Sequence, residues 1–200
     1  LHISATYGYK KTTEALLALG AEATTANARQ ELPLHYTLAV PLLHEAELVI
    51  AKHDIFILLY KQAPKSIDLP MEDGSTILHE MVVHGYSNLA ASVAKKHLSL
   101  VMSADNYGKL PIHKAILNGQ VDCAVELLNA GTPKRMLDFD GCNPLHYAAA
   151  YSNTEMLEKC LPLCASMIET TDKQGQTPLM LASYHGNLAN IEVLLAKGAK

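Results

Sequence analysis

Apolar residues along this chain gather in short clusters that return at a near-constant interval. The first cluster of each set opens with an apolar residue and a histidine: Leu1-His2, Leu34-His35, Leu78-His79, Ile112-His113 and Leu145-His146, with Leu179-Met180 closing the series. The intervals are 33, 44, 34, 33 and 34 residues. Pro33, Pro111, Pro144 and Pro178 stand directly before the phrase. A second cluster follows fifteen and sixteen residues on, as Leu16-Leu17, Leu127-Leu128 and Leu194-Leu195, with Gly20, Gly131 and Gly198 just beyond. A fixed period of this size marks stacked repeats.

Polar landmarks keep the same register. Gly8, Gly85, Gly119 and Gly186 lie seven residues after the leading apolar residue, and Gly74, Gly108, Gly141 and Gly175 four before it. Asp105, Asp138 and Asp172 stand three further back. Asp-x-x-Gly is turn chemistry: glycine takes a positive φ and aspartate accepts from nearby backbone N–H groups. Thr76, Thr177 and Asn143 are then helix N-cap candidates, with proline at the first helical position, where its missing N–H costs nothing. Small residues such as Ala148-Ala149-Ala150 let a second helix approach closely. Each unit therefore predicts two short helices and a turn. Neither helix is long enough to stand alone, so stacking must bury the core.

The phrase and its register resemble the Thr-Pro-Leu-His-x-Ala signature of ankyrin repeats. The fullest copies are Gly108-Lys109-Leu110-Pro111-Ile112-His113-Lys114-Ala115, Gly141-Cys142-Asn143-Pro144-Leu145-His146-Tyr147-Ala148 and Gly175-Gln176-Thr177-Pro178-Leu179-Met180-Leu181-Ala182. The resemblance covers essentially the whole chain. It implies an all-α solenoid of stacked helix-turn-helix units joined by β-hairpin or turn-like loops. One domain over 1–200 is expected, with copies at 1–26 (partial), 27–70, 71–104, 105–137, 138–171 and 172–200 (partial). It further implies a structural role for His2, His35, His79, His113 and His146, tying the loop to the helix.

The second copy departs most. Its interval holds 11 residues beyond the 33-residue norm, and its leucine pair comes at Leu58-Leu59, 24 residues after Leu34. Pro41 sits where the helix-breaking glycine is expected, and the stretch 45–52 either extends a helix or bulges outward. In the third and fifth copies Val93-Ala94 and Cys160-Leu161 replace the leucine pair, and Pro162 is expected to interrupt a helix. An opening leucine rather than methionine, and ends without polar caps, predict flanking structure in a longer parent chain.

Composition narrows the function. Hydrophobic residues make up 49% and charged residues 18%, enough apolar material for a packed core. The net charge of −4, with no run of Lys or Arg, argues against nucleic acid and anionic membranes. No apolar stretch approaches the ~20 residues of a membrane span. Cys123, Cys142, Cys160 and Cys164 form neither a disulfide framework nor a ligand pair, which suits a reducing, intracellular setting. His79-Glu80-Met81-Val82-Val83-His84 is one residue too long for a zinc-protease helix. No phosphate loop, nucleophile elbow or carboxylate pair appears, so neither a cofactor nor a metal is expected.

In ankyrin proteins, the resemblance implies, partners meet the loop tips and the exposed face of the first helix. At those register positions the chain places many rings: Tyr7, His84, Tyr107, Phe139, Tyr151, Tyr184 and His185. Rigid aromatic anchors dominate binding surfaces. The expected function is a protein-binding scaffold whose groove centres on the fourth to sixth copies, with Tyr107, Phe139, Tyr151 and Tyr184 as anchors. The opposing expectation is that these rings fold onto neighbouring repeats and cover core edges. An alternative function is the substrate-recruiting arm of a larger enzyme whose catalytic domain lies outside residues 1–200. The drifted second copy also fits the arrays of effectors that intracellular bacteria send into host cells.

Overall fold

A computed structural model describes residues 1–38, 46–130, 136–151 and 153–200, the side chains of Ala46 and Glu47 excepted. Among the described residues every regular element is helical and no strand occurs, so the connecting loops are turns rather than β-hairpins. Contacts gather the chain into two compact units, Leu1–Glu80 and Met81–Lys200.

In the first unit, α1 (His2–Thr6) and α2 (Lys10–Ala18) pair through a turn at Gly8. Next come α3 (Pro33–Tyr36) and α4 (Ala46–Gln62), then a 3₁₀ segment Pro64–Asp68. First helix packs on first helix (α1 on α3) and second on second (α2 on α4). Ala5, Leu34, Leu38, Ile55, Phe56, Leu59 and Ile67 fill the core between them. The extra residues of the second copy lengthen its second helix: Ala46 through Lys52 is helical and leads into Leu58-Leu59. Pro41 lies outside the described residues.

The helix α5 (Ile77–Val83) contributes residues to both units. In the second unit α6 (Ser87–Lys96), α7 (Leu98–Val101), α8 (Pro111–Leu117), α9 (Val121–Asn129), α10 (Pro144–Tyr151), α11 (Thr154–Cys164), α12 (Pro178–Tyr184) and α13 (Leu188–Ala196) follow in order. α8, α10 and α12 stack as one layer, and α6, α9, α11 and α13 as the other. Ile112, Ile116, Leu127, Leu145, Leu157 and Leu194 seal the space between the layers, each burial stabilising by roughly 1.5–3 kcal/mol.

Val93-Ala94 and Cys160-Leu161 are buried where the other copies put their leucines, so the degenerate pairs still serve the core. Pro162 does not interrupt α11, contrary to expectation: the helix runs from Thr154 to Cys164 with the proline inside it and exposed. Of the expected N-caps, Thr177 Oγ1 accepts from Met180 N–H at 3.3 Å and Asn143 Oδ1 from Leu145 N–H at 2.8 Å. Thr76 Oγ1 instead lies 3.0 Å from His79 Nδ1. The expected C-cap Gly131 is outside the described residues.

Candidate partner-binding surface

Four of the loop tips are built by one repeated device. An aspartate or asparagine turns its Oδ1 inward and accepts from the N–H groups two and four residues on. Asn27 holds Arg29 and Glu31, Asp105 holds Tyr107 and Lys109, Asp138 holds Asp140 and Cys142, and Asp172 holds Gln174 and Gln176. All eight bonds measure 2.8–2.9 Å. Two of these copies use the residue after the phrase histidine to close on the other carboxylate oxygen. Lys114 Nζ sits 2.9 Å from Asp105 Oδ2, and the Tyr147 hydroxyl donates to Asp138 Oδ2. In the second copy Tyr36 lies in the same position and bonds to Glu31 and Asn27.

Histidine ties each tip to its helix. The Nδ1 atoms of His35, His79, His113 and His146 accept the N–H groups of Leu32, Thr76, Leu110 and Asn143 at 2.9–3.1 Å. That places the ring proton on Nε2, which faces the next copy: His146 Nε2 donates to Gln176 O at 3.0 Å and His2 Nε2 is 2.9 Å from Glu31 O. Burial pushes the imidazoles of His35 and His113 down to about 4, so they are neutral at physiological pH. Adjacent tips also bond directly, Lys173 N–H to Asp140 O and Glu72 N–H to Arg29 O. Within each unit these neighbouring tips are thus joined by a backbone hydrogen bond, and each displays its side chains from that frame.

The frame places the expected rings as follows. Tyr107 and Phe139 stand exposed at consecutive tips, and Tyr151 and Tyr184 are exposed at the last residues of α10 and α12. Tyr184 is 79% exposed. His185 follows at the cap of α12, exposed, while His84 is half-buried. Three of these positions extend a continuous line of rings: His113, Tyr147, Tyr151, His185 and Tyr184 follow one another with centroids 5.1, 6.1, 4.7 and 5.2 Å apart. Phe139 rests against the preceding tip so closely that a Cβ on Gly108 would overlap its ring and its backbone nitrogen. Its inner face covers the neighbouring copy while its outer face stays exposed. Tyr7 belongs to the first unit and stacks on Tyr9 at 5.8 Å.

Tyr147 is the participant that ring counting at exposed positions missed. It is buried, joins the inner end of the line and takes a hydrogen bond of 2.7 Å from Lys109 Nζ. The signal was its position directly after the phrase histidine, nine residues from Asp138.

Two comparisons with known proteins bear on the family. Residues 123–200 match the profile described as ankyrin repeats in three copies. NF-kappa-B inhibitor alpha of Homo sapiens is 33% identical over 136 residues, and that of Mus musculus 34%. Those alignments span 64% of this chain and 43% of each relative. Residues 123–200 carry ankyrin repeats. Ankyrin repeat protein nuc-2 of Neurospora crassa is also similar, 32% identical over 125 residues, which is 62% of this chain and 11% of that protein. The chain spans less than half the length of these relatives.

The chain carries an open cleft of about 470 Å³ in its second unit, between the tips and the ends of the first helices. Its lining includes Tyr147, Tyr151, Leu117 and Leu181 together with the polar Asp140, Asp172, Gln174 and Gln176. Cys142 also faces it. Burial, then the charges of Asp138, Asp172 and Asp140, push that thiol up to about 12 and keep it protonated. The other three cysteines are buried. Among the described residues no group of three or more His, Cys, Asp or Glu could hold a metal ion, and no helix is long and apolar enough to cross a membrane.

Proposed function

We propose that this chain holds a partner protein on the ring-bearing surface of its second unit, formed by the tips at Tyr107 and Phe139 and by the helix ends at Tyr151, Tyr184 and His185. The observation that supports this reading most is the continuous line of rings running from the buried Tyr147 out to Tyr184 on a frame fixed by backbone hydrogen bonds. Large aromatic groups that are already in place lose little freedom on binding, so more of their contact energy appears as affinity. A relative whose name makes it an inhibitor of another protein fits a role in protein binding. The free, mostly buried cysteines fit a reducing compartment. No catalytic step is assigned to these residues.

The test is affinity capture from lysate with the parent chain and a Tyr151→Ala/Tyr184→Ala variant, both checked for folding by circular dichroism. Loss of two aromatic anchors should weaken the specific partner by about 30-fold or more, on the order of 2 kcal/mol. Equal capture by a folded variant contradicts the surface. A second reading is the recruiting arm of a larger protein. It rests on the length of the relatives, of which this chain spans 43% and 11% in the cases above. The sequence of the full parent chain distinguishes the two.

A further inference from the structure

The tip at Asp172 breaks the device that builds the tips before it. Asp105 and Asp138 each give one carboxylate oxygen to two backbone N–H groups and the other to the side chain that follows the phrase histidine, Lys114 or Tyr147. Asp172 keeps the first half: Oδ1 accepts from Gln174 and Gln176 at 2.9 and 2.8 Å. The residue after the phrase position there is Leu181, which has nothing to donate. Asp172 as a whole is only 8% exposed and lines the cleft, and its Oδ2, which takes part in neither of these bonds, keeps some access to solvent there. A carboxylate oxygen at the surface of a cleft, beside one already committed to the backbone, can accept from a donor outside the chain.

What surrounds it defines the missing donor. Asp140, Gln174 and Gln176 line the same cleft and carry further acceptor oxygens, and the ring of Tyr151 lines it too. The cation that lines the cleft, Lys109, is engaged at the neighbouring tip, with its Nζ 2.7 Å from the Tyr147 hydroxyl and 4.9 Å from the centre of that ring. An ammonium would satisfy one acceptor. A guanidinium offers five donors in one plane and lies flat on an aromatic face, so it matches a cleft lined by a carboxylate and a tyrosine. We propose that Asp172 receives an arginine side chain of the partner, the guanidinium bonding to Oδ2 and stacking on Tyr151. This inference rests on the proposed partner surface and assigns its recognition chemistry.

The experiment selects decapeptides from a random phage-displayed library against the whole chain and measures them as synthetic peptides by fluorescence anisotropy. Four proteins are compared: the parent, Asp172→Asn, Leu181→Lys and Tyr151→Ala/Tyr184→Ala. Both single substitutions have a precedent in this fold. Asn27 builds its tip with an amide oxygen, and Lys114 occupies the position of Leu181 in the fourth copy. Selected peptides should carry arginine at a fixed position. Affinity should fall at least tenfold on Asp172→Asn, and also on Leu181→Lys, whose ammonium would occupy Oδ2 from within the chain. Citrulline in place of that arginine should cost the same factor on the parent and nothing further on Asp172→Asn. The citrulline peptide tests the contact on the parent alone, should Asp172→Asn fail to fold. Peptides that need the two tyrosines but lack arginine and ignore Asp172→Asn overturn the inference and leave the surface standing. No binder, or binders indifferent to the tyrosines, overturns both.

Discussion

A buried imidazole that accepts from the backbone through Nδ1 cannot take a second proton without breaking that bond. His35 and His113 hold their folded pKa at about 4, against 6.5 in the open chain, and burial also lowers His146. Between pH 6.5 and 4 the unfolded chain binds protons that the folded chain refuses. Stability is therefore fully present above pH 6.5 and is lost as pH falls toward 4, by on the order of 3 kcal/mol for each of His35 and His113. Melting temperature should be flat from pH 7 to 8.5 and drop steeply below 6; a flat profile down to pH 4.5 contradicts these bonds. At Asp105 burial works to raise the carboxyl pKa, but Lys114 and two backbone N–H groups outweigh it. Its contribution, present above pH 3.8, is lost on further acidification. The histidine phrase and its periodicity were legible in the chain. The left-handed residue at Gln30 (φ +59°) was not, because glutamine carries no turn signal; only the register, four residues before Leu34, points to it. Gln30→Gly removes the Cβ penalty of that conformation and should raise unfolding free energy by about 1 kcal/mol in urea titration.

At the scale of elements, packing overrides local preference in two places. Pro162 reads as a helix breaker, yet α11 passes through it because Leu157, Cys160, Leu161 and Cys164 are buried on the inner face while the proline faces water. Removing the missing donor and the ring clash with Pro162→Ala should stabilise the chain by about 1–3 kcal/mol, read as a higher denaturation midpoint. The tips show the opposite dependence, on what surrounds a glycine. Gly108 and Gly175 share nearly the same φ, +75° and +79°, but a Cβ at 175 meets nothing within 4 Å and one at 108 overlaps Phe139. Gly175→Ala should cost about 1–2 kcal/mol from backbone strain alone. Gly108→Ala should cost more by calorimetry, and equal losses would mean that Phe139 is not seated on that tip. The glycine register was visible in sequence; the seat of Phe139 was not, since it depends on two tips that lie a whole repeat apart.

For the molecule as a whole, the stacked architecture was legible because the apolar and turn positions recur from copy to copy, with histidine in the phrase of all but the last. The exposed tyrosines followed from that register. The line of rings through Tyr147 and the half-used carboxylate of Asp172 did not, because each appears only once the first helices are stacked and tip chemistry is compared between copies. The last copy shows how one substitution changes a surface: His146 is buried, whereas Met180, its equivalent, is exposed and cannot donate to a tip. The central claim is that a preformed surface of tips and first-helix ends holds a partner protein. Hydrogen–deuterium exchange of the chain, free and bound to a captured partner, tests it most directly. The account predicts new protection confined to residues 105–110, 138–143 and 172–177 and to the ends of α8, α10 and α12. Protection confined instead to α9, α11 and α13 would contradict it.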